Sequence, residues 1–226
     1  KQILFLCTGK IVNIFSSPHR SHKEISILVT GGAGFIGSNL CKTLLVKGFL
    51  VYAVDNFITG RPENIASLLK NPRFRFFQQD ITCPEFPDTF QNTKIQYIYH
   101  LACPTGVPNI QRYAEEMLLT CSVGTAHVLD IAKLHSAQMI FTSSCEVYGQ
   151  PQIFPQYEHY TGNVSSTGPR SPYEEGKRFS ETLIAMHIQK YNIDASPRFR
   201  LFDRNNIGDI EAFLNELGRY VIKPDG

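Results

Sequence analysis

Residues 25–38 constrain this chain more than any other stretch: they read Ile-Ser-Ile-Leu-Val-Thr-Gly-Gly-Ala-Gly-Phe-Ile-Gly-Ser. Ile25 to Thr30 is a short apolar run ended by glycine, the pattern of a strand buried on both faces of a parallel sheet. Gly31, Gly34 and Gly37 follow at G-x-x-G-x-x-G spacing, and Ser38 to Lys47 carries Leu40, Leu44 and Val46 at helical intervals before Gly48 stops the helix. Phe49 to Val54 reads as a second strand closed by Asp55. Strand, glycine turn, helix, strand and acid in that order make a nucleotide-binding βαβ unit. A turn without side chains lets a pyrophosphate approach the backbone N–H groups and the positive end of the helix. Asp55, about 20 residues beyond the turn, is placed to accept hydrogen bonds from an adenosine ribose. A 2′-phosphate would meet a like charge there, so NAD is expected over NADP, with Arg61 near enough to soften the preference.

The rest of the composition narrows the partners. A chain of 226 residues that is 42% hydrophobic holds one good-sized core, or one domain with appendages. Its net charge of +2 comes from interspersed lysines, arginines and acids, so neither nucleic acid nor an anionic membrane is expected. No apolar stretch is expected to reach the length a membrane helix needs. Cys7, Cys41, Cys83, Cys103, Cys121 and Cys145 include no C-x-x-C pair. They read as reduced thiols of a cytoplasmic protein with no metal site. Lys10 interrupts the apolar opening, which shows no obvious small-residue cleavage site, so it is not expected to be a signal peptide. Leu4-Phe-Leu-Cys-Thr-Gly9 resembles the opening of a low-molecular-weight tyrosine phosphatase, but Asn13 stands where the phosphate-binding arginine belongs. Residues 1–24 are expected to be a foreign or vestigial segment.

Beyond Asp55, Arg61 to Lys70 has helical spacing and stops at Asn71-Pro72. Phe74 to Gln79 is a third strand ending at Asp80-Ile81, where Asp80 is either a carboxylate near the adenine or a turn residue. Ile95 to Leu101 is a fourth strand, and Ala102-Cys103-Pro104 opens a loop at the carboxyl edge of the sheet, where doubly wound folds bind ligands. Arg112 to His135 reads as one long helix, and Gln138 to Thr142 as a fifth strand leading into Ser143 to Gly149. Pro151 to Arg170 is a long loop of the functional kind. Ser171 is a candidate N-cap, Pro172 suits the first helical position and Glu174 would complete a capping box. Tyr173 and Lys177 then share one helix face. An ammonium and an oxidised nicotinamide both favour a phenolate, which would bring tyrosine from about 10 towards neutrality and let Tyr173 take a hydroxyl proton during hydride transfer.

Taken together, Thr30-Gly-Gly-Ala-Gly-Phe-Ile-Gly37, Val54-Asp-Asn-Phe-Ile-Thr-Gly-Arg61, His100-Leu-Ala-Cys-Pro104, Glu146-Val-Tyr-Gly149 and Gly168-Pro-Arg-Ser-Pro-Tyr-Glu-Glu-Gly-Lys-Arg178 resemble the extended short-chain dehydrogenase/reductases. Within them the likeness is greatest to UDP-glucuronate decarboxylases, over roughly Ile25 to Met186. The resemblance implies an α/β Rossmann domain with a doubly wound parallel sheet, a carboxy-terminal sugar-nucleotide domain that is missing or replaced here, and a homodimer built by two long helices. It implies Tyr173 as base, Lys177 as its partner, Ser144 at the sugar 4-hydroxyl and Glu146 as the carboxylate of the second step. Cofactor contacts carry over to Gly31, Gly34, Phe35, Ile36, Gly37, Asp55, Asn56, Asp80, Ile81, Leu101, Ala102, Thr120, Tyr173 and Lys177. Cys121 replaces the family's usual asparagine.

The implied reaction is oxidation of UDP-glucuronate at C4, loss of carbon dioxide from the resulting β-keto acid and return of hydride, giving UDP-xylose or the 4-keto pentose. Cys145 stands where a 4,6-dehydratase has its aspartic acid, and Glu146 is absent from most 4-epimerases. Both remain as alternatives, as does an inactive NAD-binding fragment. After about residue 190 the family's Asn-x-Tyr-Gly-Pro segment does not occur. Residues 191–226 instead resemble an ATP-grasp piece of phosphoribosylamine–glycine ligases, with Lys223 in a Val-x-Lys-Pro-like strand. The chain is therefore expected to be fragmentary, fused or misassembled, with residues 25–190 as its NAD-binding domain.

Overall fold

The computed structural model describes residues 4–6, 25–157, 159–193 and 195, with backbone alone for residues 4–6. The opening thiol Cys7, Asn13 and Lys223 lie outside the described residues. The strands are β1 (Leu4–Leu6), β2 (Ser26–Thr30), β3 (Leu50–Asp55), β4 (Phe74–Gln78), β5 (Tyr97–His100) and β6 (Gln138–Ser144). The helices are α1 (Phe35–Val46), α2 (Asn109–Arg112), α3 (Ala114–Leu119), α4 (Thr125–His135) and α5 (Ser171–Tyr191), with a π-helical turn, Thr120–Gly124, joining α3 to α4.

β2 is the centre because every residue in it is buried, as an uninterrupted apolar strand requires. It pairs in parallel with β3 on one side and β5 on the other, and the sheet runs β1-β6-β5-β2-β3-β4. Five strands are parallel, and β1 adds antiparallel to the outer edge of β6, with Leu4 opposite Ser144. Alternation along the strands sends side chains to two cores. Ile27, Val29, Val51, Ala53 and Tyr99 pack with Leu40 and Leu44 of α1. Leu28, Val54 and Ile98 pack with Val128, Leu129 and Ile131 of α4 and Ile184 of α5. Each fully buried Leu or Ile contributes about 1.5–3 kcal/mol, so helices are held on both faces and the doubly wound expectation is met. The strand order reverses between β2 and β5, which opens a crevice at their carboxyl ends.

Several local expectations change. Residues 61–70 form no continuous helix; Pro62–Asn64 and Leu68–Lys70 are two short 3₁₀ turns that bury Ile65 and Leu68 and leave the rest exposed. The long helix begins at Asn109, is interrupted at Tyr113 (φ −124°, ψ 38°) and loosens into the π turn at Thr120. There Gly124 lies so close to Ile81 that a Cβ would come 2.6 Å from its Cδ1. Ser171 is the first helical residue rather than the N-cap, which is Arg170, so Pro172 falls second. The expected capping box does not form: the Ser171 hydroxyl donates to the Ser165 carbonyl, and Glu174 pairs with Arg170 at 3.6 Å. Ala114–His135, with mean hydropathy 1.3 in its most apolar window, is long and apolar enough to cross a membrane, contrary to expectation. Half of that window is buried in the protein, where Met117, Cys121, Val128 and Leu129 serve as core.

Candidate active site

The crevice holds a cavity of about 400 Å³. Its floor is the turn after β2. Gly31 takes φ +72°, and a Cβ there would lie 2.9 Å from the Ala102 nitrogen, so β5 could not approach a larger residue. At Gly37 a Cβ would come within 2.1 Å of the Gly31 carbonyl oxygen. Helix α1 starts at Phe35 behind Gly34, with no side-chain cap and no acid in its first turn. Its leading N–H groups therefore face the cavity as donors without an internal partner.

Asp55 ends β3 at the rim and ties the turn together. Its Oδ2 accepts from Ala33 N at 2.9 Å and its Oδ1 from Phe57 N at 2.8 Å. Burial raises its carboxyl above the ordinary value, and these amides oppose the rise. The Gly34 amide also bonds this carboxylate, and the lone pair left over can accept from a hydroxyl. Asp80 closes a turn by accepting from the Thr82 amide and hydroxyl, at 2.8 and 2.7 Å, and it also lines the cavity. Asn56 donates to its other oxygen at 2.7 Å. Burial opposes that charge, but the Thr82 and Asn56 bonds outweigh it and hold Asp80 below the usual range. Ile81 is fixed by His127, whose Nδ1 meets its carbonyl at 2.8 Å.

The opposite wall comes from β6 and α5. Lys177 is 2% exposed; its ammonium donates to the Thr142 carbonyl at 2.8 Å and sits 4.6 Å over the Phe141 ring. Burial alone would lower its pKa, but Cys103, Cys121, Tyr173 and Glu181 together raise it, so it stays charged. One turn earlier, Tyr173 hydrogen-bonds Ser144. Burial raises the tyrosine, and the Lys177 charge and the Ser144 bond only reduce that rise. The descent towards neutrality expected from sequence is thus not produced by the polypeptide alone.

All the cofactor positions named from sequence line this one cavity: Gly31, Gly34, Phe35, Ile36, Gly37, Asp55, Asn56, Asp80, Ile81, Leu101, Ala102, Thr120, Tyr173 and Lys177. Ser144 joins them. Glu146 does not: its carboxylate turns to Arg170, at 2.6 Å from Nη2 and 3.0 Å from Nε. Sequence reasoning missed Arg170 as a partner, although it lies within the quoted Pro-Arg-Ser-Pro-Tyr segment, because the pairing closes 24 residues of chain. It also missed the Cys103–Cys121 contact, sulfur to sulfur 3.7 Å, and His100, buried between Thr30 and Thr125 at 2.8 and 3.1 Å and kept neutral by burial with a pKa of about 3. A glycine cradle, unpartnered helix amides and two rim carboxylates fit a dinucleotide.

A doubly wound sheet with that cradle at one end of a cavity and a serine, tyrosine and buried lysine at the other defines the extended short-chain dehydrogenase/reductase class. The chain belongs to the family whose model is described as GDP-mannose 4,6 dehydratase, which matches residues 28–217. It is 43% identical over 161 residues to UDP-glucuronic acid decarboxylase 1 of Arabidopsis thaliana, covering 71% of this chain and 36% of the relative. Among solved structures it resembles the Thermotoga maritima UDP-glucose 4-epimerase with UDP-glucose, at 29% identity and TM-score 0.65 over 75% of this chain and 53% of that one. It also resembles the Brucella ovis UDP-glucose 4-epimerase in complex with NAD, at 27% identity and TM-score 0.64 over 76% and 50%. The chain spans 36% to 52% of the length of curated relatives such as the Arabidopsis decarboxylases 1 and 6.

Proposed function

We propose that this chain carries the NAD-binding and catalytic part of a UDP-glucuronate decarboxylase. The observation that carries the reading is the joining of Ser144, Tyr173 and Lys177 to the glycine turn in one cavity; the identity to UDP-glucuronic acid decarboxylases supports UDP-glucuronate as the substrate. The cradle at Gly31 to Gly37 and the carboxylates of Asp55 and Asp80 would hold NAD, which supplies hydride acceptance and return at C4 of the sugar and a positive charge near Tyr173. Tyr173 takes the proton from the 4-hydroxyl, with Lys177 favouring the phenolate electrostatically. Ser144 donates a hydrogen bond to the same oxygen as it becomes a ketone. The carboxylate is then β to that ketone, so carbon dioxide leaves and negative charge develops on the oxygen, where Ser144 and Tyr173 are the donors in reach. Protonation of the enolate and return of hydride complete UDP-xylose; earlier release gives the 4-keto pentose.

The supporting features extend to assembly and compartment. Leu118, Leu119 and Val123 on the α3–α4 run, and Phe179 and Met186 on α5, leave an exposed apolar face of the kind a homodimer buries. Cys41, Cys83, Cys103, Cys121 and Cys145 are free thiols, in keeping with the cytoplasm. One observation favours a second reading, dinucleotide binding without turnover: Glu146 is engaged with Arg170 outside the cavity. Mass spectrometry of UDP-glucuronate incubated with the chain and NAD separates the two. A product lighter by carbon dioxide supports decarboxylation, and unchanged substrate with measurable NAD binding supports the second reading.

A further inference from the structure

The two thiols beneath Lys177 take no part in the chemistry above. Cys103, half-buried in the loop after β5, lines the cavity. Cys121, 2% exposed, lies in the π turn and is backed by α5, where a Cβ on Gly176 would meet its sulfur at 3.3 Å. Their sulfurs are 3.7 Å apart and either can donate the shared proton. Each cysteine adjoins a cavity-lining residue, Ala102 in one case and Thr120 in the other. The loop has little slack, since Ala102 N is already 2.9 Å from where a Gly31 Cβ would be.

We propose that Cys103 and Cys121 are an oxidation site, closing to a reversible disulfide under a hydroperoxide and thereby deforming the dinucleotide cavity. The second half rests on the dinucleotide-binding reading. Bonding requires the sulfurs to approach to about 2.05 Å, by side-chain rotation and a shift of the loop towards the π turn. That shift draws Ala102 away from the position it holds against Gly31. The contact with Cys103 lowers the Cys121 thiol to about 7 against burial, and the Lys177 ammonium and Ser180 hydroxyl add to the lowering. Cys103 is held well above its ordinary value by the same contact. The negative charge thus rests on Cys121, and passing the Cys103 proton across the contact brings it to Cys103, the sulfur that faces the cavity.

The Cys103 thiolate attacks one peroxide oxygen; the O–O bond breaks, an S–O bond forms, and the leaving hydroxide is protonated to water. The Cys121 sulfur then attacks the Cys103 sulfur, forming S–S while S–O breaks and a second water leaves. With hydrogen peroxide, two thiols are oxidised to one disulfide and the peroxide is reduced to two waters. A dithiol reductant reverses the step by exchange.

The test uses the full chain, reduced and then treated with hydrogen peroxide. Mass spectrometry with peptide mapping is expected to show loss of two hydrogens and a crosslinked peptide pair containing Cys103 and Cys121, both reversed by dithiothreitol. NAD titration by calorimetry is expected to show affinity falling on the order of tenfold on oxidation, a usual size for coupling between sites. By reciprocity, NAD should shift the dithiol–disulfide equilibrium towards the thiols. Cys121→Asn should lose both the crosslink and the effect of peroxide on NAD affinity. A crosslink elsewhere, no crosslink, or a crosslink with unchanged affinity overturns the proposal. If the reduced chain binds no NAD, the dinucleotide reading and the cavity effect both fall, while the crosslink is read independently by mass.

Discussion

At the scale of residues, the site is a set of competing electrostatic effects. Tyr173 is buried, which raises its pKa, and Lys177 is buried yet charged because four groups around it favour the ammonium. Removing the phenol hydroxyl should leave the cavity intact and remove proton transfer. Tyr173→Phe is therefore expected to lower decarboxylation by about 10²–10⁴-fold, the usual contribution of a positioned acid–base group, with NAD affinity nearly unchanged. Turnover and calorimetry on the same preparation check it. Asp55 does two jobs, facing the cavity and holding the amides of Ala33 and Phe57. Asp55→Ala should weaken NAD binding and also destabilise the fold by about 1–3 kcal/mol, because the buried Ala33 amide and the part-buried Phe57 amide lose their acceptor. Denaturant melts of the free protein separate the second effect from the first.

At the scale of elements, the turn after β2 and the docking of α5 on β6 decide whether a site exists. A Cβ at Gly37 would overlap the Gly31 carbonyl oxygen, a backbone atom that cannot step aside. Gly37→Ala should cost about 1–3 kcal/mol or more in overpacking and abolish NAD binding, both readable from thermal melts with and without NAD. Across the α5–β6 contact, Ser143 donates to Glu181, whose carboxyl is raised to about 7, chiefly by burial, against the Ser143 bond and the Lys177 and Arg178 charges. A carboxyl raised from 4.5 binds a proton in the folded state that the unfolded chain has released. Its contribution is fully present below about 4.5 and is lost as pH rises through about 7, so stability should fall across that window. Glu181→Gln should flatten this part of the profile of melting temperature against pH. Local signals were legible where one element sufficed: the β2–turn–α1–β3 sequence, the stop at Gly48 and the shared face of Tyr173 and Lys177. They failed where tertiary contacts intervened, as at the uncapped Ser171 and the π turn beside Ile81.

At the scale of the whole molecule, apolar residues on α3, the π turn, α4 and α5 are left exposed. Phe179 is 51% and Leu119 41% exposed. Placing charges there should block association without touching the cavity. The double variant Leu119→Glu/Phe179→Glu is expected to sediment as a monomer where the parent sediments as a dimer, while retaining NAD binding. A parent that is monomeric at micromolar concentration would overturn the proposed homodimer.

The sequence by itself determined the doubly wound class, the dinucleotide turn and most of the residues that line the cavity. The first two are local signals, since apolar runs and glycine spacing are each written within one or two elements, while most of the lining positions came from the resemblance to the extended short-chain dehydrogenase/reductases. Only the tertiary structure decided that Glu146 faces Arg170, that the Tyr173 phenol is raised rather than lowered, and that Cys103 touches Cys121. The first and last depend on which side chains meet across 24 and 18 residues of chain, and the second on how much water is excluded around the phenol. Desolvation and contact between distant segments are properties of the packed molecule, and no periodicity encodes them.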